Sequence, residues 1–162
     1  MSTVDDTALV AATVATGLSA GVFYTFQISI TRALAAVDDT QYVAVFQSIN
    51  RTIVNPWFVS VFLGAPALAA AALVTNWDTD DSATWLIAAG LALQISTVAI
   101  TAFGNIPLNE ALDRRGVVSG KAATAARTAF ERPWNRLHLA RTVTSVAGFV
   151  AFGIASVIAT RG

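Results

Sequence analysis

The chain has 162 residues, of which 55% are hydrophobic and only 12% are charged, and its formal net charge is zero. Because soluble domains carry about 25% charged residues, this composition predicts an integral membrane protein. A neutral chain has no basic field for binding nucleic acid. The absence of cysteine excludes a disulfide framework and a thiolate nucleophile. One histidine and scattered carboxylates give no spacing typical of a metal site.

Four apolar stretches approach the roughly 20 residues that a helix needs to cross a bilayer. They lie at about 8–31, 56–75, 85–105 and 137–159. The first stretch lacks the basic flank of a signal peptide and follows Asp5 and Asp6, which predicts a retained helix. We therefore predict one all-α domain over residues 1–162. Its fold is an up-and-down four-helix transmembrane bundle with short amphipathic helices on the cytoplasmic side.

The distribution of basic residues predicts the orientation. The connections after the first and third spans contain Arg32, Arg51, Arg114, Arg115, Lys121, Arg127, Arg132 and Arg136. The short link "NWDTDDSAT" has three aspartates and no basic residue, and Arg161 lies at the C-terminus. The positive-inside rule then places both long connections in the cytoplasm and both termini outside the cell membrane.

The two halves of the chain share a plan in which a Pro-Trp pair follows a cytoplasmic connection and precedes the second span. The pairs occur in "NPWF" and "RPWN", so that Pro56 and Pro133 are 133 − 56 = 77 residues apart, which suggests a duplication. Both prolines suit the first turn of a helix, where the missing N–H costs nothing. Trp57 and Trp134 suit the headgroup layer.

Unexpected polar side chains crowd the cytoplasmic ends of the spans. They are Gln27, Asn50, Asn55, Asn105, Asn109, Arg136, His138 and Arg141. Arg141 lies well inside the fourth span, and an intramembrane arginine is by default a functional-site hypothesis. We predict that these groups form a polar pocket open toward the cytoplasm. Its apolar walls are expected from Phe23, Tyr24, Phe26 and Trp134, a mixture typical of small-molecule sites.

Each feature also has a simpler interpretation. The Asn-x-Pro-x-Asn motif at 105–109 can cap the end of a helix. Gln27 can bridge two helices, and Arg136 can anchor the inner surface. His138 can satisfy a neighbouring group, and Trp134 can belong to an aromatic belt. The pocket hypothesis therefore depends on these residues meeting in space.

Four segments together resemble the anthrone oxygenase-like family of small four-helix membrane proteins. They are "GVFYTFQIS", "FQSINRTIVNPWFVSVFLGAP", "NIPLNEAL" and "WNRLHLARTVTS". The likeness covers about residues 17–155, and its most specific part is Asn-x-Pro-x-Asn together with Trp-x-Arg-x-His-x-x-Arg. The best-known members oxidise anthrones to anthraquinones with dioxygen and without a metal or flavin.

The resemblance implies an oxygenase that needs no cofactor beyond O2 as co-substrate and acts on a planar, hydrophobic, phenolic or anthrone-type molecule. His138, the only side chain that titrates near neutrality, would be the base, and Arg141 and Arg136 would stabilise the substrate anion. Asn105 and Asn109 would orient substrate oxygens, and Trp134 would stack on the rings. The family pattern often has Asn at position 138, which leaves substrate-assisted deprotonation or a binding role open. Asn50, Asn55 and Gln27 complete the predicted substrate contacts.

Two other functions stay open at this point. The pocket can hold a lipid or quinone-like amphiphile without turnover, or the polar cluster can simply lock the third and fourth spans together in a structural partner protein. Besides the lipid bilayer and a hydrophobic small molecule, the Gly- and Ala-rich helix faces suggest a homo-oligomer.

Overall fold

The computed structural model describes residues 3–77 and 82–159, and within these ranges the chain is almost entirely helical. The helices are α1 (Thr3–Thr25), α2 (Thr31–Ala35), α3 (Asp39–Ile53), α4 (Pro56–Thr75), α5 (Ser82–Ile100), α6 (Ile106–Asp113) and α7 (Gly120–Ala159). Two π-helical segments join neighbours without a break, Phe26–Ile30 between α1 and α2 and Thr101–Asn105 between α5 and α6.

Four continuous helical runs are long and apolar enough to cross a membrane. They are Thr7–Ala35, Pro56–Thr75, Ser82–Asp113 and Gly120–Ala159. In the bundle, α1 packs against α4 and α7, and α5 also packs against α4 and α7. The predicted all-α membrane bundle is confirmed. The acidic residues at 78–81 and Arg161, which entered the orientation prediction, lie outside the described residues.

The core at the end of the bundle that holds the two termini consists of small and aliphatic residues around Phe152. Leu9, Ala72 and Ile87 are buried there with Phe152. Small residues allow the backbones of spanning helices to approach closely, which increases van der Waals contact where no water is available to drive association. This end of the bundle is therefore held together by close van der Waals packing of small and aliphatic side chains.

α5 and α7 pack closely against each other, and this packing depends on glycine. A Cβ atom added to Gly90 would lie 2.6 Å from Cε2 of Phe152. A Cβ atom added to Gly148 would lie 2.8 Å from Nε2 of Gln94. Both distances are below 3.0 Å, so a side chain at either position must displace its neighbour, the buried ring of Phe152 at Gly90 or the amide end of Gln94 at Gly148.

We expect Gly90→Ala to lower the free energy of unfolding by about 1–3 kcal/mol, because overpacking against Phe152 outweighs the higher helix propensity of alanine. The measurement is reversible unfolding in mixed micelles with increasing denaturing detergent. Gly21→Ala is the matched control, since a Cβ at Gly21 meets nothing within 4 Å. Equal stability of the two variants would contradict the prediction.

The helix that contains the third predicted span does not end near Asn105 but continues to Asp113. The π-helical segment makes this possible. Its wider turn lets the N–H of Ile106 donate to the carbonyl of Thr101, five residues back. Pro107 directly follows this wider turn, which accommodates its ring and its missing N–H within a continuous helix. The first span uses the same device, since the N–H of Thr31 donates to the carbonyl of Phe26, and it extends to Ala35.

The helix that contains the fourth predicted span is longer than that span, since α7 begins at Gly120 and is 40 residues long, whereas the predicted span begins at 137. Pro133 therefore lies inside a helix and not in its first turn. In the first half of the chain the corresponding helix is divided, and Pro56 does begin α4 as predicted. The Pro-Trp pairs thus occupy different positions in the two halves.

A second core lies at the end of the bundle opposite the termini, where α3 packs against α6 and α7. Its members are Leu34, Tyr42, Val43, Phe46, Leu112, Ala126, Phe130 and Trp134. Arg127 lies at the edge of this core and donates to Asp39 at 3.1 Å and to Glu131 at 2.8 Å. Its guanidinium carbon lies 4.4 Å from the centre of the Tyr42 ring. Burial, reinforced by Glu131, raises the pKa of the Tyr42 phenol, which therefore stays neutral. This second core closes one end of the bundle.

Candidate functional site

A cavity of about 260 Å³ lies between the spanning helices next to the second core. Aromatic rings form much of its wall, namely Phe23, Phe26, Phe58, Phe62 and Trp134. Its polar lining consists of Asn50, Thr101, Asn109 and Arg141. Phe26 and Thr101 come from the two π-helical segments, a type of distortion that is frequent at functional sites. We call this space the aromatic cavity.

Arg141 is the charged group of the aromatic cavity. It is only 8% exposed, its Nε donates to Nδ1 of His138 at 3.0 Å, and Nη1 donates to Oγ1 of Thr101 at 3.4 Å. The guanidinium carbon lies 4.7 Å from the ring centre of Phe23 and 5.2 Å from that of Trp134. None of the ion pairs between described residues includes Arg141. Its charge is thus met only by neutral groups and ring faces, which favours binding of an anion.

His138 is a hydrogen-bond partner of Arg141 and does not itself line the aromatic cavity. The ring is fully buried and stacks on Trp134, with the ring centres 4.8 Å apart and the planes 20° apart. When the imidazole is neutral, acceptance from Arg141 at Nδ1 occupies its only lone pair, so the proton is on Nε2. His138 is therefore arranged to orient the guanidinium, with no free acceptor left for a substrate proton.

Asn109 presents a hydrogen-bond donor to the cavity. The indole N–H of Trp134 donates to Oδ1 of Asn109 at 2.7 Å, which fixes the amide orientation and leaves Nδ2 free. Asn50 also lines the cavity, but its Nδ2 is buried and has no partner among the described residues. Described lining residues include no Asp or Glu, so Asn109 and Arg141 offer a donor and a positive charge. This set suits a ligand that carries oxygen acceptors or a negative charge.

A sequence profile of the anthrone oxygenase family matches residues 55–151. The chain belongs to this family. The matched region covers more than half of the chain and contains Asn109, Trp134, His138 and Arg141. No curated protein and no solved structure matches the chain. The resemblance found in the sequence is confirmed, and the protein is an oxygenase-like membrane protein.

This anthrone oxygenase family member brings together four of its predicted site residues at the aromatic cavity, namely Asn50, Asn109, Trp134 and Arg141. Trp134 is 2% exposed, so it is not an exposed residue of an aromatic belt, and it lines the cavity. Phe23 and Phe26 also line the wall, whereas Tyr24 is 53% exposed and does not.

Four other predicted contacts lie away from the aromatic cavity. Asn105 is fully buried and donates from Nδ2 to the carbonyl of Trp134 at 3.3 Å, which links the second π-helical segment to α7. Asn55 accepts from the N–H of Phe58 at 3.0 Å and caps α4. Gln27 lies in the first π-helical segment with a buried, unpartnered Oε1. Arg136 is exposed.

Three polar or aromatic residues of the lining, Thr101, Phe58 and Phe62, are not among the predicted site residues. Thr101 accepts from Arg141, and Phe58 and Phe62 stack with their ring centres 5.5 Å apart. The two phenylalanines are four residues apart and therefore share one helix face, a spacing visible in "PWFVSVF". Within the described residues, no group of three or more His, Asp or Glu side chains could hold a metal ion.

We expect Asn109→Asp in this family member to weaken binding of an anionic ligand by at least about tenfold, since a donor becomes a negative charge. A carboxylate still accepts from the Trp134 indole, so the cavity wall stays in place. The measurement is quenching of tryptophan fluorescence by 1,8-dihydroxyanthraquinone at a pH that ionises it, compared with unsubstituted anthraquinone. Gln41→Glu, an equal charge change on the exposed surface of α3, is the control. Equal weakening of both ligands would contradict a role in anion binding.

Proposed function

We propose that the protein is a cofactor-independent oxygenase that binds a planar phenolic or anthrone-type molecule as its anion and oxidises it with O2. The observation that carries this proposal is Arg141, a buried cation that has no carboxylate partner among the described residues and lies at the wall of an aromatic cavity. Membership of the anthrone oxygenase family supports the oxygenase class.

The shape and lining of the aromatic cavity support a flat ring system as the ligand. Its volume of about 260 Å³ is close to the lower end of the usual range for small-molecule sites, about 300–1,000 Å³. Flat rings can pack against Phe23, Phe58 and Trp134, while the donors of Asn109 and Arg141 bind the oxygens. An apolar wall also admits O2 and limits access of bulk water.

The proposed chemistry needs only the substrate anion and dioxygen. The substrate loses a proton from its methylene group or its enol to water, and Arg141 stabilises the resulting anion. The anion passes one electron to O2, and the two radicals combine in a C–O bond to form a peroxide anion. This takes up a proton and eliminates water, so that one methylene group and one O2 give one ketone carbonyl and one water molecule. In this scheme Arg141 contacts the reacting anion, and His138 positions Arg141.

The deciding experiment uses the purified protein in nanodiscs with an anthrone under air. We expect quinone to form faster than in empty nanodiscs, with one O2 consumed per quinone, and EDTA and removal of any flavin to leave the rate unchanged. A rate equal to that of empty nanodiscs contradicts the oxygenase. Tight binding of a hydroxyanthraquinone at that equal rate would instead identify a binding module.

We also propose that the protein lies in the cell membrane with the second core in the cytoplasm. Arg32, Arg51, Arg114 and Lys121 belong to the connections at this end, and basic residues are retained on the inner side. Because the chain has no cysteine, Val117→Cys introduces a unique thiol beyond α6. An impermeant maleimide should label it in inverted vesicles and not in intact cells.

A further inference from the structure

A second hollow of about 410 Å³ adjoins the aromatic cavity. Four residues line both spaces, namely Asn50, Val54, Ile106 and Asn109. The remaining lining of the second hollow is charged and comes from Arg51, Glu110, Asp113 and Arg114. We call the second hollow the mouth.

The mouth is open because the helices around it pack against different partners. The helical structure is interrupted between α3 and α4, at Val54 and Asn55. Beyond this break α4 packs against α1 and α5, whereas α6 packs against α3 and α7. The start of α4 and the side of α6 are therefore not packed together, and Val54 and Ile106 remain 72% and 43% exposed.

The lining of the mouth is both apolar and ionic. Arg51 and Asp113 form an ion pair of 2.6 Å that links α3 to α6, and Arg114 lies 3.6 Å from Glu110. Val54 and Ile106 provide the apolar part. This combination fits an amphiphile whose rings pass along the aliphatic side chains while its oxygens stay near charged groups.

We propose that the mouth is the access route by which an aromatic amphiphile with phenolic oxygens reaches the aromatic cavity. This inference rests on the proposed function, since it concerns the ligand of the same site. Asn109 lines both spaces, and its Nδ2 donates to no described residue. It receives the oxygens in the mouth and retains them as the rings move inward toward Arg141.

A unique thiol at the mouth tests the route. Glu110→Cys places it in the lining of the mouth and outside the lining of the aromatic cavity, in a chain that has no other cysteine. The thiol is labelled with a methyl methanethiosulfonate or with a bulky biotin maleimide. Association and dissociation of 1,8-dihydroxyanthraquinone are then followed by stopped-flow quenching of tryptophan fluorescence. Val117→Cys with the same two labels is the control, because Val117 is fully exposed and lines neither space.

If the mouth is the route, the bulky label at position 110 slows association and dissociation together, each by at least about fivefold relative to the methyl label, and leaves Kd within about twofold. Equal rates with the two labels would overturn the proposal. So would an increased Kd with an unchanged dissociation rate, since the label would then be occupying the binding site. The same labels at position 117 should change neither rate.

The readout also separates this inference from the proposed oxidation. If the wild-type protein binds the hydroxyanthraquinone and oxidises no anthrone, the oxygenase is wrong and the rate comparison still decides the route. If the wild-type protein binds neither molecule, the proposed function is wrong and the access route fails with it.

Discussion

Replacing Arg141 with glutamine is expected to lower the rate of quinone formation by about 10²–10³-fold, the usual loss when a preorganised group that stabilises a developing anion is removed. Glutamine keeps a polar side chain of similar length and removes the charge. The buried position makes the loss large, because a charge at the wall of an apolar cavity is poorly screened by water. The measurement is steady-state quinone absorbance with an anthrone under air.

Two further variants identify the charge as the cause. Arg132→Gln removes an exposed cation from the same helix and should leave the rate unchanged. Arg141→Lys keeps the charge but loses the two-point arrangement toward His138 and Thr101, so a loss of about tenfold is expected. A rate within about threefold of wild type for Arg141→Gln would show that the charge is not used.

We expect Arg141→Gln to lose activity without losing stability. A buried cation without an anionic partner is costly to desolvate, so removing it should leave the free energy of unfolding unchanged or raised. This outcome separates a functional arginine from one that holds the bundle together. A large loss of stability would favour the structural interpretation.

The membrane fold could be predicted because the mean hydropathy of a whole segment identifies a spanning helix. The exact helix boundaries depend on tertiary packing and could not be predicted in the same way. Local sequence rules predict Pro133 in the first turn of a helix and the motif that contains Pro107 at a helix end. Pro107 is accommodated by the π-helical segment before it, and Pro133 lies within a 40-residue helix packed against α3. Trp134 looks like an interfacial residue by its distance from the span, yet it is buried because α3 and α6 cover that part of α7.

The position of three candidate site residues on one helix face also follows from helix geometry. Trp134, His138 and Arg141 are spaced by four and three residues and therefore share one face of α7, whereas Arg136 points elsewhere and is exposed. Asn55 precedes a proline at a helix start, so its role as a cap follows from local rules. The position of Asn50 beside the cavity does not, since it requires the way α3 packs across the bundle.

The sharpest test of the mechanism is His138, where the two hypotheses predict different orders of variants. As a general base it cannot be replaced by either asparagine or leucine, and both variants should lose activity equally. As a positioning residue it needs only an acceptor for Nε of Arg141. Oδ1 of asparagine lies close to where Nδ1 of histidine lies, so His138→Asn can keep the 3.0 Å hydrogen bond.

We therefore expect His138→Asn to retain quinone formation within about tenfold of wild type and His138→Leu to lose about 10–150-fold, the equivalent of one hydrogen bond to a charged group. Leucine fills the space against Trp134 but leaves Nε of Arg141 without its acceptor. The pH dependence of kcat gives an independent readout. If His138 is the base, the fall in kcat at low pH should disappear in His138→Asn. If His138 is a positioning residue, that fall should remain, because the proton leaves from the substrate.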